Sequence, residues 1–248
     1  MLKIAGTARF VSDLHLRPER EDIAERFTRF LIDTAQRKVA ALFILGDLFE
    51  YWIGDDDLAD AFNNRICWLL RGLRDHGTQL YFISGNRDFL LGQTFAETAG
   101  MQLLADTVKV GVGDTAILLL HGDTLCTDDL PYQQFRSMVR APQWQSQFLA
   151  RPLTERRAEV ASLRQRSAAA MQDKTAAIMD ANPASVHEAF EKAGCRFMIH
   201  GHTHRPGVEK VELADGSAER WVLSDWETGR GDALEIDESG IHRINLSH

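Results

Sequence analysis

The sequence predicts an α/β fold in which helices cover buried strands, and two observations support this. Five short apolar runs have the length and composition of strands that are buried on both faces. These runs span residues 41–45, 80–83, 116–120, 196–199 and 221–223, and residues 8–11 resemble a sixth. Between several of them, apolar residues recur at helical spacing, as at Ile23, Phe27 and Phe30. This alternation indicates a central sheet with helices packed against it.

The composition is that of an ordinary globular protein. A chain of 248 residues with 44% apolar and 26% charged residues suits one large domain, or a core with an insertion. No window approaches the roughly 18 consecutive apolar residues of a membrane span. The N-terminal residues lack the apolar region of a signal peptide, so we expect a cytosolic protein. The net charge of −8 argues against non-specific nucleic-acid binding, and Cys67, Cys126 and Cys195 indicate no disulfide framework.

One segment differs from the rest of the chain. Residues 131–182 have a helix-forming composition, and residues 136–174 carry a local charge of +5, from eight Lys or Arg against three Asp or Glu. We therefore predict a helical insertion at 131–182 and a core formed by 1–130 and 183–248. The apolar residues that could form a stripe on its helices are Trp144, Phe148, Leu149 and Leu153. The arginines beside that stripe are Arg151, Arg156, Arg157, Arg164 and Arg166.

Polar motifs follow five of the predicted strands, at the point where each strand ends. They are Ser12-Asp13-Leu14-His15, Gly46-Asp47, Ser84-Gly85-Asn86-Arg87-Asp88, His121-Gly122-Asp123 and Gly201-His202-Thr203-His204. Open α/β sheets gather their ligands beyond the carboxyl ends of the strands. We therefore expect these Asp, Asn and His side chains to meet at one edge.

The residue types of these motifs suit a metal site. Asp13 and His15 are two residues apart, as are His202 and His204, so in an extended strand each pair points to one side. Asp47 can bridge two ions because a carboxylate offers two oxygens. Taken singly, Asp47 also suits a turn or a helix cap. The combination of carboxylate, imidazole and amide ligands favours Mn²⁺, Fe²⁺ or Zn²⁺.

The order of the motifs DxH, GD, GNxD, HG and GHTH resembles that of the calcineurin-like metallophosphoesterases, over the whole chain except the insertion. The resemblance implies an α/β sandwich of mixed β-sheets flanked by helices, with two divalent metal ions that activate water for attack on phosphorus. It assigns one ion to Asp13, His15, Asp47 and His204. It assigns the other to Asp47, Asn86, His121 and His202, with Asp47 as the bridge.

Longer stretches of sequence indicate a particular group within this family. Residues 47–56, 85–92 and 121–129 are similar to the UDP-2,3-diacylglucosamine diphosphatases of lipid A biosynthesis. That family implies water attack on the α-phosphorus of UDP-2,3-diacylglucosamine, usually with Mn²⁺, giving UMP and 2,3-diacylglucosamine 1-phosphate. Arg87 stands where many metallophosphoesterases have histidine. Arginine clamps phosphate oxygens but cannot donate a proton at neutral pH, which favours cleavage of an anhydride.

The narrower resemblance also implies a set of substrate contacts. They are Asn86, Arg87, Asp129, Ser167, Met171, Lys174 and His202. Ser167, Met171 and Lys174 share one helix face by their spacing, although Met171 replaces a residue that is often polar in relatives. Judged without the family, Lys174 would be a solvated lysine and Ser167 a helix-surface serine.

A substrate with two acyl chains suggests a role for the predicted insertion. Its apolar stripe could line a trough for two acyl chains, and its arginines could face diphosphate or anionic lipid, as in peripheral contact with the cytoplasmic face of the inner membrane. The simpler interpretation is that the stripe packs on the core and the arginines are solvated. We expect no nucleic acid and no obligate protein partner.

Two other functions are open to the sequence. A soluble nucleotide or UDP-sugar pyrophosphatase would use the same metal ligands without an apolar trough. A non-catalytic scaffold of the same fold is disfavoured because all seven metal positions are filled. His200 receives no role, and the sequence does not fix the oligomeric state or the acyl-chain length.

Overall fold

The computed structural model describes residues 1–172 and 180–247, with the backbone alone for 164–172. Its strands are β1 Leu2–Ile4, β2 Ala8–Val11, β3 Ala41–Ile44, β4 Gln79–Phe82, β5 Met101–Leu103, β6 Thr107–Val112, β7 Thr115–Leu120, β8 Phe197–His200, β9 Gly207–Leu213, β10 Gly216–Val222, β11 Asp232–Asp237 and β12 Gly240–Asn245. Its helices are α1 Glu21–Gln36, α2 Ala61–Asp75, α3 Gln93–Ala99, α4 Leu130–Val139, α5 Pro142–Leu149, α6 Leu153–Gln172 and α7 Pro183–Ala193. The predicted apolar runs all fall on strands.

The strands form two six-stranded mixed sheets that face each other. One has the order β12-β11-β2-β3-β4-β5, and the other has the order β1-β6-β7-β8-β10-β9. Between them lies a buried apolar layer that includes Phe10, Phe43, Leu119 and Ile199. The single central sheet predicted from the strand–helix alternation is therefore wrong, whereas the sandwich implied by the resemblance is confirmed. An apolar run shows that both faces of a strand are buried, but it does not say whether a helix or a second sheet covers them.

Helices cover the outer faces of the sandwich. Helix α1 buries Ile23, Phe27 and Phe30, which are the positions that the periodicity predicted. It packs with α2 and α3 on the sheet that contains β2. On the other sheet, α7 buries Phe190. Its first turn is capped by Asn182, whose side-chain oxygen accepts a hydrogen bond from a backbone N–H of that turn.

The segment predicted as an insertion is helical, but its apolar stripe packs on the core. Phe148 is only 2% exposed, and Trp144 stacks on it with ring centroids 4.9 Å apart. Leu153 is also partly buried against the same cluster, so only Leu149 of the predicted stripe is exposed. The hypothesis that Phe148 lines a trough for acyl chains is therefore wrong. The apolar side of an amphipathic helix packs against the core where it can, and Phe148 does so. The domain boundaries themselves stay a prediction.

Three of the arginines beside the predicted stripe pair with carboxylates. Arg156 is buried and binds Asp56, while Arg157 binds Asp57 and Arg151 binds Glu159. The expectation of a solvated or lipid-facing arginine is wrong for Arg156, whose buried guanidinium needs a fixed partner. The side chains of Arg157 and Arg151 are 50% and 45% exposed, as the simpler interpretation expects. The side chains of Arg164, Arg166, Ser167 and Met171 lie outside the described residues, as does Lys174. Within the described part of the chain, no helix is long and apolar enough to cross a bilayer.

The sheet topology brings the predicted motifs together. Strands β2, β3 and β4 are parallel neighbours in one sheet. Strands β7 and β8 are parallel neighbours in the other. The loops at the carboxyl ends of these five strands meet at one edge of the sandwich, so each sheet contributes candidate ligands to a shared site.

Candidate metal centre

The candidate ligands lie on loops with an uncommon backbone conformation. Among the described residues, six non-glycine residues have positive φ, and five of them are predicted metal ligands. These are Asp13 (54°), His15 (49°), Asp47 (53°), His202 (65°) and His204 (54°). The expectation that each pair converges through strand alternation is therefore wrong, since the strands end before the ligands begin. Left-handed backbone costs roughly 1–2 kcal/mol per residue, and Asp and His are among the side chains that tolerate it best.

The first half of the site is formed by Asp13, His15 and His204. The Nε2 atoms of the two histidines are 3.4 Å apart, and His204 Nε2 lies 3.4 Å from Asp13 Oδ1. The opposite ring nitrogens face carboxylates, because His15 Nδ1 is 3.6 Å from Glu50 and His204 Nδ1 is 3.4 Å from Asp225. Three ligand atoms thus converge on one point, which is the arrangement that a cation requires.

The second half is formed by Asn86, His121 and His202. Asn86 Oδ1 lies 2.9 Å from His121 Nε2 and 2.8 Å from His202 Nδ1. His121 Nδ1 is 2.8 Å from the carbonyl oxygen of Leu45, and a carbonyl can only accept, so Nδ1 donates. Because the pKa of His121 is raised to about 9, its ring is protonated in the metal-free protein and Nε2 donates to the Asn86 oxygen. A divalent cation would replace that proton between the two atoms.

Asp47 lies between the two halves. Its Oδ1 is 3.8 Å from His121 Nε2, and ligand atoms of Asp13, Asp47 and His121 all lie within 4.8 Å of one another. Burial, followed by the negative charge of neighbouring carboxylates, raises the pKa of Asp47 to about 7. A buried carboxylate that is costly to ionise gains from a nearby cation. Its position suits the bridging role that the resemblance implies.

The protonation of the histidines also suits metal binding. Burial lowers the pKa of both His15 and His202 to about 3, so both rings are neutral, which is the form that binds metals. Burial alone would lower the pKa of His121, but Asp47 and Asp13 outweigh it and raise the value to about 9. The carboxylates that favour a proton on His121 equally favour a divalent cation at that position.

Two further observations test whether a cation fits. Among the described residues, the buried Asp13 Oδ1 has no hydrogen-bond partner, although it is a strong acceptor. A Cβ on Gly85 would lie 2.0 Å from Asp47 Oδ1, and one on Gly201 would lie 2.0 Å from Asp13 Oδ2. The glycines leave room for the carboxylates to reach the centre. The donor set fits two divalent cations.

Asp88 holds the loops that carry two of the ligands. This buried carboxylate accepts hydrogen bonds from the backbone N–H groups of Gly85 (2.9 Å), Leu48 (2.7 Å) and Asp47 (3.2 Å). The sequence motif contained Asp88 without assigning it a task. Its position after the GN pair explains why the loops after β3 and β4 adopt a fixed relative geometry.

Arg87 lies at the rim of the site. Its Nη1 donates to Glu50 Oε1 over 3.1 Å, and its Nε is 3.9 Å from Asp47 Oδ2. It lines a cavity of about 230 Å³ together with His15, His204 and Arg17. The guanidinium is therefore placed to meet an anionic group at the centre.

Asp129 is the one remaining predicted contact residue whose side chain is described, and it lies at the start of α4. Asp129 caps that helix by accepting the backbone N–H of Tyr132 over 3.1 Å, so it has a local structural task as well. The Tyr132 ring lies 5.8 Å from the His202 ring, which places α4 beside the second half of the site. Asp123 accepts hydrogen bonds from the Tyr132 hydroxyl and from Arg136, each over 2.7 Å.

Sequence reasoning missed several residues that support the site. Glu50 and Asp225 face the rear nitrogens of His15 and His204, and Asp123 connects α4 to the loop after β7. Glu50 fell inside one of the family-like stretches, but no signal in the sequence pointed to Asp225. His200 is buried with its Nδ1 2.8 Å from the Gly201 carbonyl, and burial lowers its pKa to about 4.

Comparison with known proteins agrees with this geometry. The sequence model of the family described as calcineurin-like phosphoesterase matches residues 8–206. A protein of Chromohalobacter salexigens named UDP-2,3-diacylglucosamine hydrolase is 44% identical over 238 residues, which cover 96% of each chain. One of the same name from Aromatoleum aromaticum is 48% identical over 221 residues, 89% of each chain. A third, from Serratia proteamaculans, is 45% identical over 237 residues, 96% of this chain and 98% of that one.

These matches extend over nearly the full length of the curated relatives, and the family model includes every strand that leads to a candidate ligand. The chain belongs to the calcineurin-like phosphoesterase family.

Proposed function

We propose that this protein hydrolyses the diphosphate bond of UDP-2,3-diacylglucosamine, giving UMP and 2,3-diacylglucosamine 1-phosphate in lipid A biosynthesis. The observation that carries the proposal is the near full-length identity, 44–48% in the three relatives described, to proteins named for this substrate. The convergence of seven candidate ligands at one edge of the sandwich supports the same chemistry.

Two divalent ions, which we propose to be Mn²⁺, would be held by the residues of the two halves. Asp13, His15 and His204 would hold one, Asn86, His121 and His202 the other, and Asp47 both. Bound in this way, such ions lower the pKa of a water, orient it in line with phosphorus and neutralise developing charge. The neutral rings of His15 and His202 and the fixed loops would pre-organise this geometry before substrate binds.

Arg87 would bind the phosphate oxygens. Its guanidinium pairs with Glu50 at the rim, and it can turn to a phosphate that enters beside Asp47. It remains charged and cannot supply a proton. The leaving group must therefore depart without one, as a phosphate does and an alkoxide does not. Asn86, His202, Asp129, Ser167, Met171 and Lys174 are proposed to contact the substrate as well.

The segment 131–182 is proposed to cover the site and to receive the acyl chains. Two large apolar side chains of this segment are exposed, Met138 (51%) and Leu149 (40%), and so is Leu130 (65%) directly before it. They support apolar contact on this face, although Phe148 and Trp144 are used for packing. We propose that the protein acts in the cytoplasm with peripheral, reversible contact to the inner membrane.

The deciding experiment compares two substrates with metal-free protein and with protein given Mn²⁺. Release of UMP from UDP-2,3-diacylglucosamine but not from UDP-N-acetylglucosamine, and only with Mn²⁺, is the expected result. Equal turnover of both would support a soluble nucleotide or UDP-sugar pyrophosphatase instead. Turnover of neither would contradict the proposed substrate.

Membrane contact is tested by flotation with anionic liposomes at low salt. Replacing Leu130 and Met138 by serine should reduce the floated fraction. Replacing the equally exposed Ile32 on α1 by serine is the matched control and should leave it unchanged. Absence of flotation by the unaltered protein would contradict the membrane proposal and leave the hydrolytic one intact.

A further inference from the structure

Each of the two histidines of the first half has a carboxylate beside the ring nitrogen that faces away from the centre. The Nε2 atoms of His15 and His204 converge at 3.4 Å, while each Nδ1 faces a carboxylate, Glu50 at 3.6 Å and Asp225 at 3.4 Å. His15 Nδ1 has no hydrogen-bond partner among the described residues, so the carboxylates act electrostatically. Negative charge behind Nδ1 favours the tautomer with its proton there, leaves the Nε2 lone pair directed at the centre and makes the imidazole a stronger ligand.

Arginines hold both backing carboxylates. Glu50 is 3.1 Å from Arg87 and 3.4 Å from Arg17, and Asp225 is paired with Arg230. Both carboxylates are largely shielded from water, with side chains 10% and 7% exposed. Fixed and shielded charges act more strongly on a neighbouring ring than solvated ones.

The second half lacks this arrangement among the described residues. His121 Nδ1 is backed by the neutral carbonyl of Leu45 at 2.8 Å, and Asn86 contributes a neutral amide. The nearby Asp123 carboxylate accepts hydrogen bonds over 2.7 Å from Arg136 and from the hydroxyl of Tyr132. Negative charge lies near both halves, since the carboxylates of Asp47, Asp13 and Asp123 also act on His121. The halves differ instead in what lies directly behind a ligand ring, a carboxylate in the first and the Leu45 carbonyl in the second.

We propose that Glu50 and Asp225 are positioning residues that make the two cation positions unequal. The position at His15 and His204 holds its ion more tightly than the position at His121 and His202. This inference rests on the proposed two-ion site. It assigns to Glu50 a second task as well, because the same carboxylate connects the ligand His15 to the phosphate-binding Arg87.

The test is a Mn²⁺ titration of the metal-stripped full-length protein, followed by the electron paramagnetic resonance signal of free Mn²⁺. Two binding classes are expected. Asn86→Ala should keep the tighter class and lose the weaker one, and His204→Ala should do the reverse. Glu50→Gln and Asp225→Asn should each raise the dissociation constant of the tighter class about 10–100-fold and leave the weaker class unchanged. Glu50→Asp, which keeps the carboxylate, should recover part of the loss.

Glu21→Gln is the matched control, since Glu21 pairs with Arg65 over 2.6 Å on the surface, and it should change neither class. Circular dichroism checks folding, and because Glu50 and Asp225 back different histidines, either variant alone decides the question if the other fails to fold. Equal classes in the unaltered protein would overturn the inference, as would a tighter class that survives both substitutions. If the protein hydrolyses its substrate but gives either of these two contradicting results, the proposed function stands and only the difference in affinity between the two cation positions is lost. Failure to bind Mn²⁺ at all would overturn both.

Discussion

The backbone N–H of His202 donates a hydrogen bond to Asp13 Oδ2 over 2.8 Å. The same oxygen accepts the hydroxyl of Ser12 over 2.5 Å, which leaves Oδ1 directed at His204. One carboxylate oxygen of Asp13 thus fixes the loop after β8, and the other is available as a ligand. Substitutions in this network are expected to disturb ligand geometry even where the fold survives.

Gly85→Ala should abolish cation binding with a moderate loss of stability. The added Cβ would lie 2.0 Å from Asp47 Oδ1 and 2.3 Å from the Asp47 backbone nitrogen, so the bridging residue must move. Forcing atoms into a packed site costs about 1–3 kcal/mol. Gly72→Ala in α2 has no atom within 4 Å of the new Cβ and should raise stability by about 0.5–1 kcal/mol. Bound Mn²⁺ and urea unfolding measure both; full metal content in Gly85→Ala would contradict this reading.

Asp47→Asn should weaken cation binding at both positions and reduce kcat by more than about 100-fold. Loss of a residue that only supports a ligand costs up to about 100-fold, so a direct ligand of both ions should cost more. Asp47 groups with Asp13 of the first half and with His121 of the second, and an amide offers one oxygen and less charge. Elemental analysis and steady-state kinetics provide the measurement. Turnover near that of the unaltered protein would contradict the proposal that Asp47 binds both ions.

Arg87→Ala should reduce kcat/KM by about 10²–10³-fold, the usual effect of removing one charge-stabilising donor, with unchanged metal content. The ligand-supporting contact of this residue is its backbone N–H, which donates to Asp47 Oδ1 over 2.8 Å and remains in the variant. Metal content by mass spectrometry separates the two roles. Loss of metal would show that the side chain supports the ligands instead.

Arg156→Met should lower the free energy of unfolding by about 1–3 kcal/mol, because several hydrogen-bond partners lose their donor. Arg156 donates to the carboxylate of Asp56 and to the Arg151 carbonyl, the latter over 3.0 Å, and its side chain is 2% exposed. Arg29→Met, at a 60% exposed position, should stay within about 0.5 kcal/mol of the unaltered protein. Urea unfolding of both variants gives the comparison. Equal urea midpoints for the two variants would contradict a stabilising role of the Arg156 contacts.

Asp123→Asn should destabilise the metal-free protein by about 2 kcal/mol at pH 7 and by progressively less in acid. Burial would raise the pKa of Asp123, but the charges of His121 and Arg136 and the hydrogen bond from the Tyr132 hydroxyl hold it well below its usual range. The folded state therefore holds fewer protons than the unfolded state below about pH 4, and stability falls as the pH decreases through that window. Urea unfolding from pH 7 to 3 in the presence of a chelator measures the difference between the two proteins. A difference that does not change with pH would contradict the assignment.

The sequence was sufficient to predict which residues meet, because the chemistry of the site is local to strand ends. Asp47 follows β3, His121 follows β7 and His202 follows β8, as the apolar runs predicted. Parallel neighbours carry their loops to the same edge, so motif order alone predicts convergence. Ser167, Met171 and Lys174 stay predictions, since their side chains lie outside the described residues.

What the sequence could not predict depends on long-range contacts. The left-handed backbone at Asp13 and His15 leaves no periodic signal, and strand alternation gave the right convergence for the wrong reason. Asp225 backs His204 from a loop that carries no recognisable motif. The fate of Phe148 also depended on whether a core face lay beneath it, which only the assembled fold decides.

The division of ligands between the two sheets has a consequence for folding experiments. Asp13, Asp47 and Asn86 follow strands of one sheet, and His121, His202 and His204 follow strands of the other. Neither sheet alone carries a complete cation position, so the site can assemble only when the apolar layer between the sheets has closed. During refolding from denaturant, recovery of tight Mn²⁺ binding should therefore coincide with that closure and lag behind the return of helical signal. The ion then serves as a reporter of the last long-range step.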